Sequence, residues 1–144
     1  MKKYLSLKKR IKNNEGYRSS AYKDQLGFLT IGYGHLIKHN EKYLLKKKFS
    51  KNFLTNIFEL DFSRALKDYR KNYKKHNFNE NIEEVLIEMI FQLGVKGQKK
   101  FKKTNKHLIK KQIYMASLEM LDSLWYKQTP KRVKMLIKTL TKTS

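Results

Sequence analysis

Two carboxyl-bearing residues, Glu15 and Asp24, stand nine positions apart within the stretch IKNNEGYRSSAYKDQLGFLTIGYGH, residues 11–35. Glu15 falls at the tail of a predicted helix, directly before Gly16, where the helix field disfavours a negative charge. That position and a partly apolar surround would both raise the pKa of its carboxyl group. Asp24, in a polar turn beside Lys23, suits an ionised carboxylate instead. One protonated and one ionised carboxyl group are what hydrolysis of a glycoside requires: the first gives a proton to the leaving oxygen, the second works on water or on developing positive charge. Each residue also has a purely structural reading. Glu15 alone could be a surface charge, and Asp24 before Gln25-Leu26-Gly27 is a good turn former. Thr30 is a favourable strand residue, His35 after a glycine turn is more often a structural hydrogen-bonder than a base, and Phe91 and Trp125 sit at core-like helical spacing.

The elements that must position these groups are legible from periodicity and breakers. Residues 1–13 carry Tyr4, Leu5, Leu7 and Ile11 at amphipathic spacing, which predicts a short helix ending near Gly16. Residues 19–36 mix Gly27, Gly32 and Gly34 with the β-formers Tyr22, Phe28, Thr30, Ile31 and Tyr33, which predicts a small antiparallel sheet with tight turns. The lysine-rich KHNEKYLLKKK that follows has no clear assignment. Ser50 reads as an N-cap for a long helix whose stripe runs through Phe53, Leu54, Ile57, Phe58, Asp61, Phe62, Ala65, Leu66, Tyr69 and Tyr73. Asn79 or Asn81 caps IEEVLIEMIFQL, and Gly94 ends it. Shorter pieces follow around Phe101 and KHLIKK, then a helix IYMASLEMLDSLWY, and last TPKRVKMLIKTL with Thr129 as N-cap and Pro130 at the first helical position. The expected fold class is therefore α+β and mostly helical. Residues 14–50 would form a β-containing lobe, 51–75 a linking helix, and 76–144 together with 1–13 a helical lobe, the whole making one domain.

At 144 residues the chain can bury a core. It has no cysteine, so disulfides and thiolate metal sites are excluded, and no residue pattern implies a metal or cofactor. The N-terminus lacks an apolar stretch of signal-peptide length, and no segment approaches a membrane span, so the expectation is a protein kept in the cytosol until something else releases it. Its net charge of +22, from 34 basic and 12 acidic residues, favours polyanionic partners. Only five of those bases are arginine, the residue that fork-like phosphate recognition draws on. The lysine excess, with abundant Asn, Ile, Phe and Tyr, fits an adenine- and thymine-rich coding sequence equally well.

The run Glu15, Gly16, Arg18, Tyr22, Asp24, Gly27, Thr30, Ile31, Gly32, Gly34, His35 resembles the N-terminal signature of phage-type lysozymes, glycoside hydrolase family 24. MIFQLG followed by Gly97 and Phe101 resembles a second block of that family, and WYKQTPKR, residues 125–132, a third. The region between His35 and Ser50 departs most, being shorter than the family pattern. The resemblance implies a lysozyme-like fold and an endolysin that cuts the β-1,4 bond between N-acetylmuramic acid and N-acetylglucosamine in peptidoglycan. It implies Glu15 as general acid, Asp24 as partner carboxylate, and Thr30 as the hydroxyl that helps Asp24 hold the attacking water. The family is of the inverting kind, for which the two carboxyl groups stand roughly 6.5 to 9.5 Å apart. Leu36 and Phe91 match residues lining the sugar cleft, Thr104 preserves a hydroxyl where the family often has serine, and Glu119 replaces an asparagine. Arg132 is expected near Glu15, where a cation would lower the acid's pKa. His35 is expected to pair with Asp61 in a structural role. The partners implied are peptidoglycan and a separate holin for release, with the protein itself a monomer that is also attracted to anionic envelope surfaces.

Two other function classes compete. Lysine-rich segments such as VKGQKKFKKTNKHLIKK could follow a nucleic-acid backbone, but the bases are spread over several helices and no groove-reading motif is present, so no specific nucleic acid is expected. Basic amphipathic helices such as PKRVKMLIKTLTK could disrupt membranes. An inactive relative is disfavoured because Glu15, Asp24 and Thr30 are all present.

Overall fold

The computed structural model describes residues 2–142. By compactness the chain divides into two units, residues 1–64 and 65–144.

The first unit opens with a 3-10 turn, Lys2–Tyr4, running into helix α1, Leu5–Glu15. Leu7 and Ile11, one turn apart, are buried, and Gly16 ends the helix at φ 75°, a left-handed value at which glycine escapes the Cβ penalty. Strands β1 (Arg18–Lys23), β2 (Leu29–Gly32) and β3 (His35–Leu36) form an antiparallel sheet in chain order. In its register Tyr22 faces Thr30, and Thr30 in turn faces Leu36. The unassigned lysine-rich stretch forms a 3-10 helix, His39–Leu45, with Leu44 buried against Ile31 and Leu54.

Helix α2, Lys51–Tyr73, begins where Ser50 caps it: the Ser50 hydroxyl oxygen accepts from the Phe53 amide at 3.1 Å. Its early part supplies Leu54, Phe58 and Phe62 to the core of the first unit, and Phe62 also meets the Tyr4 ring of α1. Its later part supplies Ala65, Leu66, Tyr69 and Tyr73 to the second. The apolar stripe thus continues along one helix through both units.

Helices α3 (Glu80–Lys99), α4 (Lys102–Ile109), α5 (Ile113–Leu121), α6 (Leu124–Gln128) and α7 (Pro130–Leu140) build the rest of the second unit. Of the two candidate caps for α3, Asn79 is used, its side-chain oxygen accepting from the Ile82 amide at 2.9 Å. Gly94 breaks α3 at φ 76°, but the chain resumes helical geometry beyond it and does not stop there. The predicted helix IYMASLEMLDSLWY is in fact two. Ser123 adopts an extended conformation and its hydroxyl oxygen accepts from the Tyr126 amide, opening α6 anew. Thr129 precedes α7 as expected, with Pro130 at its start, yet its hydroxyl makes no cap. It donates instead to the Trp125 carbonyl, closing α6. Among the described residues no helix is long and apolar enough to cross a membrane.

Candidate active site

Glu15 is the last residue of α1, so its carboxyl group stands at the negative end of that helix. Gly34, at φ 74°, approaches it closely: a Cβ on residue 34 would lie 2.5 Å from Glu15 Oε1 and 2.9 Å from its Cδ. Any side chain there would displace the carboxyl group, so Gly34 is the floor on which Glu15 rests.

Asp24 begins the turn between β1 and β2. Its Oδ1 accepts from the backbone amides of Leu26 and Phe28, both at 2.9 Å, while its carbonyl accepts from Gly27. This is the turn chemistry expected of an aspartate, and it consumes only one carboxylate oxygen. Among the described residues Oδ2 has no hydrogen-bond partner. Thr30, almost fully buried in β2, donates its hydroxyl proton to the Phe28 carbonyl at 2.9 Å, which leaves its oxygen as an acceptor. Turn-forming and chemically available are therefore compatible properties of the same aspartate.

Tyr22, between these groups on β1, has its phenol pushed up in pKa, first by burial and then by the negative charges of Glu15 and Asp24, with Arg18 opposing. Both carboxylates are thus felt at one residue. The Arg18 guanidinium lies over the Tyr22 ring, 4.5 Å from its centre. Sequence reasoning read Tyr22 as a β-former and a member of the family run but gave it no part in the site, and a tyrosine two residues before the aspartate was the available signal.

His35 is buried, with Nδ1 2.7 Å from Asp61 Oδ2 and Nε2 3.0 Å from Glu41 Oε1. Burial works to lower its pKa, but the hydrogen bonds and charges of Asp61 and Glu41 overcome this and raise it. Carboxyl groups facing both ring nitrogens favour the doubly protonated ring, the direction in which the pKa moves. Glu41 was not singled out by sequence reasoning, although it is the one acidic residue between Asp24 and Glu59. Burial would raise the pKa of Glu41, but the Lys38 amide and His35 draw it down.

In the second unit Thr104 on α4 and Glu119 on α5 come together at a cavity of roughly 390 Å³, with Phe101, Asp122 and Ser123 beside them. Leu36 is exposed on β3, and Phe91 is half-buried on α3. Arg132, on α7, is buried and donates from Nε to Glu88 Oε2 at 3.1 Å. Glu88, fully buried on α3, is another residue missed from sequence. Its signal was an acid within the buried stripe of Val85, Leu86, Met89 and Ile90.

A family model described as phage lysozyme matches residues 12–141. The chain belongs to the phage lysozyme family. Among this lysozyme's relatives, Probable T4-type lysozyme 2 of Dictyostelium discoideum is 32% identical, with 88% of each chain covered. Probable T4-type lysozyme 1 of the same organism is 33% identical, covering 94% of this chain and 93% of its own. The mostly helical α+β architecture with its small three-stranded sheet is that of a lysozyme of this type. Family membership supports a muramidase-type glycoside hydrolase with peptidoglycan as its substrate.

Proposed function

We propose that this lysozyme cleaves the β-1,4 bond between N-acetylmuramic acid and N-acetylglucosamine with inversion at the anomeric carbon. The observation that carries the reading is the arrangement of acceptors at the β1–β2 turn. Asp24 has one oxygen bound into the turn and the other open, and Thr30 has its proton committed to Phe28. A water donating one hydrogen to Asp24 Oδ2 and the other to Thr30 Oγ1 keeps a lone pair for attack on the sugar.

In this mechanism Glu15 gives its proton to the glycosidic oxygen as the bond to the anomeric carbon breaks. The water adds from the opposite face and passes a proton to Asp24. Room for that water requires the two carboxyl groups to stand roughly 6.5 to 9.5 Å apart. The helix-end position of Glu15 favours its protonated form, and Gly34 holds it in place. Leu36, Phe91, Thr104 and Glu119 are the proposed substrate contacts, with His35, Asp61 and Arg132 in supporting roles. In its fullest form the reading has a monomeric enzyme held in the host cytoplasm and let through to the wall by a separate holin, so that phage progeny are released.

Glu15→Gln tests the proposal. The amide fills the same space but has no acidic proton to give, so the variant is expected to melt like the parent while clearing of a peptidoglycan suspension is abolished. Undiminished clearing would remove Glu15 from this role and favour lysis by membrane disruption.

A further inference from the structure

On the face of α1 formed by residues 9, 12 and 13, the first unit carries a second cavity of roughly 370 Å³. Lys9, Lys12 and Asn13 line it from the helix, Gly16 from the residue that ends the helix, Tyr17 and Tyr33 from the following chain, and Lys51 from the start of α2. None of its lining residues is acidic. Lys8, just outside it, is paired with Glu59 at 2.7 Å, whereas among the described residues Lys9, Lys12 and Lys51 form no ion pair.

Two of the three ammonium groups are held by rings. Lys12 Nζ lies 5.3 Å from the centre of Tyr33 and 4.9 Å from that of Phe58, and Lys51 Nζ lies 5.7 Å from Tyr17. Cation–π contacts fix where these charges sit without neutralising them. The two tyrosine rings are 4.9 Å apart and tilted by 50°, and Tyr17 is 38% exposed. The C-terminal end of α1 contributes about half a negative charge, which three ammonium groups outweigh.

We propose that this cavity binds an anionic sugar, with a phosphate or carboxylate on the ammonium groups and the apolar face of the ring against Tyr17 and Tyr33. Concentrated positive charge alone would select any anion. Aromatic walls between the charges add a preference for a ligand with an apolar face beside its charged group. Such units occur in charged polysaccharides, so the site would hold the protein on an acidic polymer apart from any bond it cuts. The inference does not rest on the muramidase reading, because binding here is measured with nothing cleaved.

The test follows backbone and tyrosine resonances of the full chain at low salt as α-D-glucose 1-phosphate, D-glucuronate, D-glucose or inorganic phosphate is added. The two charged sugars are expected to shift Gly16, Tyr17 and Tyr33, and whichever binds tighter identifies the anionic group preferred. Lys9→Gln/Lys51→Gln, which leaves Lys12 on its rings, is expected to weaken that binding about tenfold. Lys71→Gln/Lys138→Gln, exposed positions of the second unit, should leave it unchanged. Four results would each overturn the proposal: no localised shift, equal binding in both double variants, inorganic phosphate binding as tightly as glucose 1-phosphate, or neutral glucose binding as tightly as the charged sugars.

Discussion

Asp24 shows how one side chain can serve a turn and still be available for chemistry. Its Oδ1 organises two backbone amides and its Oδ2 remains open. Asp24→Asn keeps an acceptor for the turn, so its melting temperature is expected to stay close to the parent's while wall-clearing activity falls steeply. Asp24→Ala removes both functions and is expected to lose about 1 kcal/mol of stability in addition to activity, measured by denaturant unfolding. Equal stability of the two variants would contradict the turn role. His35 gives a pH prediction. Its raised pKa means that its folding contribution is fully present below its unfolded pKa of about 6.5 and is lost as pH rises through the higher folded value. The lowered pKa of Glu41 works in the opposite sense, its contribution being lost as pH falls through its folded value. The His35 cluster is therefore strongest between those two limits. Melting curves of the parent and of His35→Asn across pH should converge as pH rises past the His35 titration. A constant gap would show that His35 stabilises through packing alone.

At the level of elements, the ends of helices were easier to read than their interruptions. Ser50 and Asn79 cap the starts assigned to them, because a cap is a local bond between residues three apart, and Pro130 opens α7 because its fixed φ suits a first helical position that needs no N–H donor. The break between α5 and α6 was missed because Asp122 and Ser123 sit inside an otherwise continuous helical pattern. There the Ser123 hydroxyl accepts from Tyr126 and donates to the Met120 carbonyl, joining the end of one helix to the start of the next. Ser123→Ala is expected to cost about 1 kcal/mol in unfolding free energy. Thr129→Ala, which loses only a hydroxyl-to-carbonyl bond, should cost less, and the reverse order would refute this assignment of the caps. Of the polar contacts between elements, the pairing of His35 with Asp61 was anticipated through the family resemblance, and the others were not legible. Tyr73 on α2 donates to Gln98 on α3, Gln98 donates to Asn105 on α4 at 2.7 Å, and Asn105 returns a bond to the Tyr73 hydroxyl at 3.1 Å. This closed ring of three polar side chains joins three helices, and no spacing in the sequence announces it.

At the scale of the whole molecule the net charge of +22 remains the most unusual property. Attraction between a cationic enzyme and an acidic wall is long-ranged at low salt and is screened beyond about 10 Å at 0.1 M. The rate of wall clearing is therefore expected to fall steeply as sodium chloride is raised over that range. A flat profile would mean that the lysine excess follows base composition and plays no part in substrate capture.

The sequence by itself determined what depends on neighbours along the chain: α1 ending at Glu15, the glycine-rich strands, the caps at Ser50 and Asn79 and the three family blocks. Their signals are local because backbone geometry and capping bonds act over a few residues. The Asp61 partner of His35 was anticipated through the family resemblance, but tertiary structure alone decided that His35 also takes Glu41 and that Arg132 meets Glu88 across 44 positions. Burial makes some partner necessary for such groups, since an unpaired charge away from water is costly. That requirement does not say which of the twelve acidic residues will supply it. The choice is made only when helices and strands distant in sequence are packed side by side.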